Sequence, residues 1–199
     1  MSRRNPKGRD VNGIVLLDKD TGLSSNAALQ KIKRLFFAKK AGHTGSLDPL
    51  ASGILPICLG QATKVAQFLL DDDKRYFVRG KLGEISDTGD CEGKIIKTQQ
   101  FEHLNEAEII DATMSFKGDI LQVPPMYSAL KKDGQPLYKL ARQGIEIERP
   151  ARPVSIHNID FISCEKGVIT LDVSCSKGTY IRSLIQDIGD KLGCGAHVV

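Results

Sequence analysis

Gly42-His43-Thr44-Gly45-Ser46-Leu47-Asp48-Pro49-Leu50-Ala51-Ser52-Gly53 is the stretch on which the reading of this chain turns. It carries almost no apolar period, neither the alternation of a strand nor the 3.6-residue repeat of a helix, and so reads as a loop. Glycines at both ends permit close backbone approach to a ligand, and Pro49 biases Asp48 away from helical geometry, presenting its carboxylate from extended backbone. Loops of this kind, held between rigid elements, are where function tends to sit. By itself the stretch also fits an ordinary Asp-Pro turn with an incidental histidine.

Upstream, Gly13 to Lys19 is a β-branched and leucine run between Asn12-Gly13 and Asp20-Thr21-Gly22, which predicts a short buried strand. A helix follows, capped by Ser24 or Ser25, with Ala28, Ile32, Leu35 and Phe36 as its apolar stripe and lysines on the opposite face. Downstream, the pattern predicts a strand over Ile54 to Leu59 and a helix near Ala62 to Leu70. Arg75 to Leu82 reads as a strand, Ser86 to Asp90 as a polar turn, and Glu106 to Phe116 as a helix. Gln122-Val123-Pro124-Pro125-Met126 breaks what precedes it, and Leu137 to Arg142 fits a short helix ending at Gly144. Val154 to Cys164 and Val168 to Cys175 are two strands joined by Glu165-Lys166-Gly167. Ile181, Leu184, Ile185, Ile188 and Leu192 lie at helical spacing and predict a last amphipathic helix ending at Gly193. Strands and helices are interspersed without strict alternation, which points to an α+β (α/β mixed-sheet) domain.

The chain has 199 residues, 41% of them hydrophobic, enough for one sizeable core. Its longest apolar runs fall far short of the roughly 18 to 20 residues of a membrane span, and its basic start is not followed by the apolar stretch of a signal peptide. The start therefore reads as a flexible basic arm over residues 1–10 of a cytoplasmic protein. Cys58, Cys91, Cys164, Cys175 and Cys194 show no metal-ligand spacing and read as reduced, structural cysteines. Net charge is only +4, but Thr21 to Leu47 lacks acidic residues while holding Lys31, Lys33, Arg34, Lys39 and Lys40. Such a concentration fits phosphates, and equally a solvated helix face.

The twelve residues from Gly42 to Gly53 resemble the catalytic motif of the bacterial TruB family of tRNA pseudouridine-55 synthases. Further blocks resemble the family in order: Gly13 to Lys19 with Ser24-Ser25-Asn26, Lys74-Arg75-Tyr76, Leu82-Gly83 through Asp87-Thr88-Gly89-Asp90, Pro125-Met126-Tyr127-Ser128-Ala129-Leu130-Lys131, and Cys175-Ser176-Lys177-Gly178-Thr179-Tyr180-Ile181-Arg182. The resemblance runs from about Gly8 to the last residue.

It implies a pseudouridine-synthase-type catalytic domain over 11–199, with a mostly antiparallel mixed sheet flanked by helices. A thumb-like insertion at 98–148 would grip the RNA. It also implies that the family's C-terminal PUA-type domain lies beyond the point where this chain stops. The implied reaction is a cofactor-free and metal-free isomerisation of uridine 55 in the T loop of tRNA, by a monomer with no obligatory protein partner. Asp48 would open it, either by attacking the anomeric carbon or by removing the ribose 2′ proton. The flipped base would stack on Tyr76, with His43 and Tyr180 contacting the nucleotide. Arg182 would pair with Asp48 and lower its pKa, and Asp90 would share that arginine. Lys19 and Lys64 would contact phosphates.

Two other readings use the same residues. A noncatalytic RNA-binding module would need the basic helix and the aromatics but not Asp48 and Arg182 together, and the guide-RNA-dependent branch of the family shares the catalytic motif. A phosphate-binding hydrolase would need the G-x-x-x-x-G-K-[ST] loop, which is absent.

Overall fold

The computed structural model describes residues 7–199, so most of the expected basic arm lies outside the described residues. The part that is described is tied down: Arg9 forms a parallel bridge with Ala38, its N–H donating to the Phe37 carbonyl at 2.6 Å. The chain divides into two compact units between Asp72 and Asp73.

In the first unit, β1 (Gly13–Lys19) is followed by α1 (Ser25–Leu35), β2 (Ala41–His43) and β3 (Gly53–Leu59). A 3₁₀ turn (Gly60–Lys64) and α2 (Ala66–Leu70) close it, splitting the single helix expected over that stretch. The strands form an antiparallel sheet in the order β1-β3-β2. Leu55, Ile57 and Leu59 of β3 pack with Ala28 and Leu29 of α1, and Val15, Leu17 and Leu47 close over them. β1 has the predicted bounds but not the predicted burial. Leu16 is 69% exposed because the pleat sends alternate side chains to a face that the helix does not cover. The stripe of α1 likewise differs: Leu29 is buried, whereas Leu35, at the last turn, is exposed.

In the second unit β4 (Lys74–Leu82), β5 (Glu84–Ser86) and β6 (Ile95–Thr98) precede α3 (Glu106–Met114) and β7 (Gly118–Gln122). There follow a small hairpin of β8 (Lys131–Lys132) and β9 (Gln135–Pro136), then α4 (Leu137–Ala141), β10 (Arg152–Glu165), β11 (Val168–Cys175), α5 (Ile181–Lys191) and β12 (Ala196–Val198). The main sheet runs β12-β4-β11-β10-β7, antiparallel throughout. Parallel pairing among the described residues is confined to the isolated bridges Arg9–Ala38 and Asp90–Val198. The mixed α+β architecture expected from the sequence is the one observed. Part of segment 98–148 is built into the sheet, since β7 pairs with β10.

Strand alternation places Tyr76, Val78, Gly80 and Leu82 on one face of β4, with Arg75, Phe77 and Arg79 on the other. The first face carries α5. A Cβ at Gly80 would come within 2.8 Å of Ile185 Cγ2, so only glycine lets the helix lie this close. On the open face Arg75 forms a bidentate pair with Asp172 at 2.8 and 2.9 Å, which lowers the carboxyl's pKa. α5 stops where predicted, with Gly193 at φ 74 just past Leu192. The five cysteines are all free; Cys58, Cys175 and Cys194 are buried, but Cys91 is exposed and packs no core.

Candidate active site

In the first unit the expected reactive group, Asp48, is exposed on the loop between β2 and β3. The backbone around it is fixed. Ser25, the first residue of α1, donates from its hydroxyl to the Leu47 carbonyl at 3.0 Å and accepts from the Leu47 N–H at 2.8 Å. The Gly22 N–H donates to the Pro49 carbonyl at 2.8 Å, and the Ala51 N–H to that of Asp48 at 3.1 Å. Ser24 caps α1, accepting from the Ala27 N–H, which leaves Ser25 to serve the loop. Two adjacent serines thus divide two tasks that one could not perform together.

His43 ends β2, and its Nδ1 is buried without a hydrogen-bond partner. Lys19 departs from expectation. It is 1% exposed, and its ammonium donates to the carbonyls of Asp20 and Leu23 at 3.0 and 2.8 Å. A lysine so placed stabilises the turn between β1 and α1. Lys64 is exposed, and with Arg9, Lys39 and Lys40 it lines a cavity of about 330 Å³, whose acidic member Asp10 pairs with Lys39 at 2.9 Å.

In the second unit Arg182 sits in the first turn of α5, only 9% exposed. Its Nη1 donates to Asp90 Oδ2 at 3.2 Å and to the Thr88 carbonyl at 3.0 Å, and its Nη2 to the Tyr127 carbonyl at 2.8 Å. Asp90, 3% exposed, also accepts from the Thr88 hydroxyl and the Glu92 N–H. The turn over Ser86 to Asp90 therefore presents both a carboxylate and a carbonyl to one guanidinium. A buried ion pair persists only with this degree of hydrogen-bond satisfaction.

Tyr180 is the N-cap of α5, and Tyr76 is half-buried on the α5 face of β4, opposite Val173. No side chain of α5 caps its own first turn. Gln122 does so from the end of β7. Its Oε1 accepts from the Tyr180 N–H at 2.7 Å and its Nε2 donates to the Tyr180 carbonyl at 3.1 Å. Sequence reasoning read Gln122 only as the start of a break before two prolines, and Ser25 only as an alternative cap. A serine beyond the cap was a signal for the second; a glutamine closing a strand is too common to have flagged the first.

Residues 33–181 match the profile described as TruB family pseudouridylate synthase (N terminal domain). The chain is 60% identical over 199 residues to a tRNA pseudouridine synthase B of Shewanella sp. (strain MR-4), all of this chain matching 62% of that protein. It is 62% identical over 198 residues to the protein of the same name from Actinobacillus pleuropneumoniae serotype 5b (strain L20), covering 65% of it. The chain thus spans somewhat less than two thirds of the length of these curated relatives. Among solved structures it resembles a Cbf5-Nop10-Gar1 complex (TM-score 0.72, 34% identity, 94% of this chain and 46% of that one). It also resembles an H/ACA RNP bound to a substrate RNA containing 2′-deoxyuridine (TM-score 0.69, 27% identity, all of this chain and 51% of that one).

Proposed function

We propose, for a chain that belongs to the TruB family of pseudouridylate synthases, that the protein converts uridine to pseudouridine in tRNA, at position 55 of the T loop. The observation that carries the reading is the Asp48 loop. It lies within the matched residues, and its backbone is fixed on both sides of an exposed carboxylate by Ser25 and Gly22. A carboxylate presented in this way can initiate cleavage of the N-glycosidic bond, after which the uracil turns and rejoins the ribose through C5.

The target base must leave its stack, at about a few kcal/mol, and an aromatic face offsets part of that cost. Tyr76 is the side chain we assign to this task, with Tyr180 and His43 as further contacts to the nucleotide. The buried, unpartnered Nδ1 of His43 is a polar atom that a bound nucleotide could satisfy. Arg182 and Asp90, paired at 3.2 Å in the second unit, are the charged residues we assign to the reaction. Among the basic residues, Lys64 rather than Lys19 is suited to the phosphate backbone, together with the other cations around its cavity. The enzyme would act alone on the T-stem loop, as a cytoplasmic monomer.

The test is tritium release from tRNA labelled at C5 of uridine, comparing the full-length protein with Asp48→Asn. Loss of release with tRNA binding retained is the expected result. Release by the variant at the parent rate would remove Asp48 from the chemistry, and a folded parent that binds tRNA without releasing tritium would leave a noncatalytic binding module.

A further inference from the structure

We propose that Gln122 is a positioning residue for the Tyr180–Arg182 segment, a role that rests on the uridine-isomerising reading above. Gln122 is 2% exposed and belongs to β7, 58 residues from its partner. A carboxamide can donate from its nitrogen and accept at its oxygen at once, and Gln122 uses both on the backbone of a single residue. The Tyr180 carbonyl also accepts from the Leu184 N–H at 3.0 Å, so both of its lone pairs are engaged. Its N–H, which no turn of α5 can reach, is satisfied by Gln122.

The effect is to fix the backbone where it changes from extended to helical. Tyr180 has φ −101 and ψ 110, and one residue later α5 begins. Rotation about these two angles would swing the Tyr180 ring and shift Arg182, two residues on. Two further bonds bind the same segments together: the Ser183 hydroxyl donates to the Val123 carbonyl at 3.1 Å, and Arg182 Nη2 to the Tyr127 carbonyl at 2.8 Å. Between these points lie Pro124 and Pro125, whose rings lock φ. Residues 122–127 thus form a stiff strap across the start of α5, and Gln122 is the member that bonds both backbone atoms of Tyr180. Gln122 does this through main-chain atoms, so it sets where Tyr180 and Arg182 stand without needing to meet the RNA.

Gln122→Met keeps the side chain's length and removes both bonds. Four readings on the full-length protein decide the matter: amide hydrogen exchange at Tyr180, the single-turnover rate with saturating tRNA, tRNA affinity, and the same rate in a Tyr180→Ala background. We expect faster exchange at Tyr180, a rate lowered about tenfold or more because small misplacements are costly, and affinity changed by less than about threefold. In the Tyr180→Ala background most of the rate effect disappears, since the ring being positioned is gone. Should Gln122→Met unfold, Gln122→Leu serves instead. It too removes both bonds, and its rate is expected below the parent's with Tyr180 exchange accelerated. Unchanged exchange at Tyr180, an unchanged rate, or an equal rate loss in both backgrounds would overturn the proposal. A parent with no activity on tRNA would instead strike the isomerase reading, while the exchange measurement still tests the strap.

Discussion

In the Asp48 loop a serine hydroxyl donates to and accepts from the backbone of Leu47; at the start of α5 a glutamine carboxamide does the same for Tyr180. Both devices act on the residue before or near the functional one, from a different element, and both replace a regular ladder with one bifunctional side chain. Beyond that the two regions differ. Asp48 is exposed and the backbone beside it is held by Ser25 and Gly22, whereas Arg182 is buried and has its own atoms tied to Asp90, Thr88 and Tyr127. An exposed carboxylate costs the fold little, because water solvates it. A buried guanidinium is stable only while its acceptors remain. Damage to the second region should therefore appear as lost stability, and damage to the first as lost precision.

The largest effect that would break this contrast comes from Asp90→Ala. Removing the carboxylate takes from the buried Arg182 guanidinium the charged partner that Asp90 supplies, at a cost of about 3–5 kcal/mol. In a chain of this size that lowers the melting temperature on the order of 10 °C, as calorimetry or circular dichroism would read. Asp48→Ala, by comparison, should melt within a few degrees of the parent. Equal shifts for the two variants would abolish the distinction between the buried Arg182 network and the exposed Asp48 carboxylate.

Much of this was legible in the sequence where punctuation is strong. β1 keeps the bounds set by Asn12-Gly13 and Asp20-Thr21-Gly22, and α5 ends at the glycine that marks it. The loop carrying Asp48 follows from its lack of period. What the sequence hid depends on partners far along the chain. β12 has three residues, and it is a strand only because β4 offers it Gly80 to Leu82. Leu16 is apolar yet exposed, and Lys19 is charged yet buried, because the pleat and a pair of carbonyls override side-chain polarity. The partners of Ser25 and Gln122 were hidden for the same reason: they lie 22 and 58 residues away.

Ser25→Ala sharpens the comparison from the other side. It removes a donor and an acceptor from the Leu47 backbone while leaving the α1 cap at Ser24 intact. The stability loss should be modest, about 1–2 kcal/mol for hydrogen bonds at a partly buried site. The single-turnover rate should fall proportionally more, about tenfold, because the loop that presents Asp48 gains freedom. Melting and rate measured on one preparation separate these effects, and a variant that loses stability but keeps the parent rate would mean that the loop needs no such clamp.

The smallest effect concerns Asp187, in the same helix as Arg182 but outside its network. Burial, and secondarily the charge of Asp190, push its carboxyl up from 3.8 to about 6. The folded state therefore binds this proton more tightly than the unfolded chain does. Below about pH 4 both states hold it and Asp187 costs nothing; as pH rises through about 6 the folded protein must bury a charge, and stability falls. Asp187→Asn removes that penalty. The variant should melt a few degrees above the parent at pH 8, on the order of 1 kcal/mol, and together with it at pH 4. A gain that is the same at both pH values would show that the substitution acts through helix packing rather than through the charge.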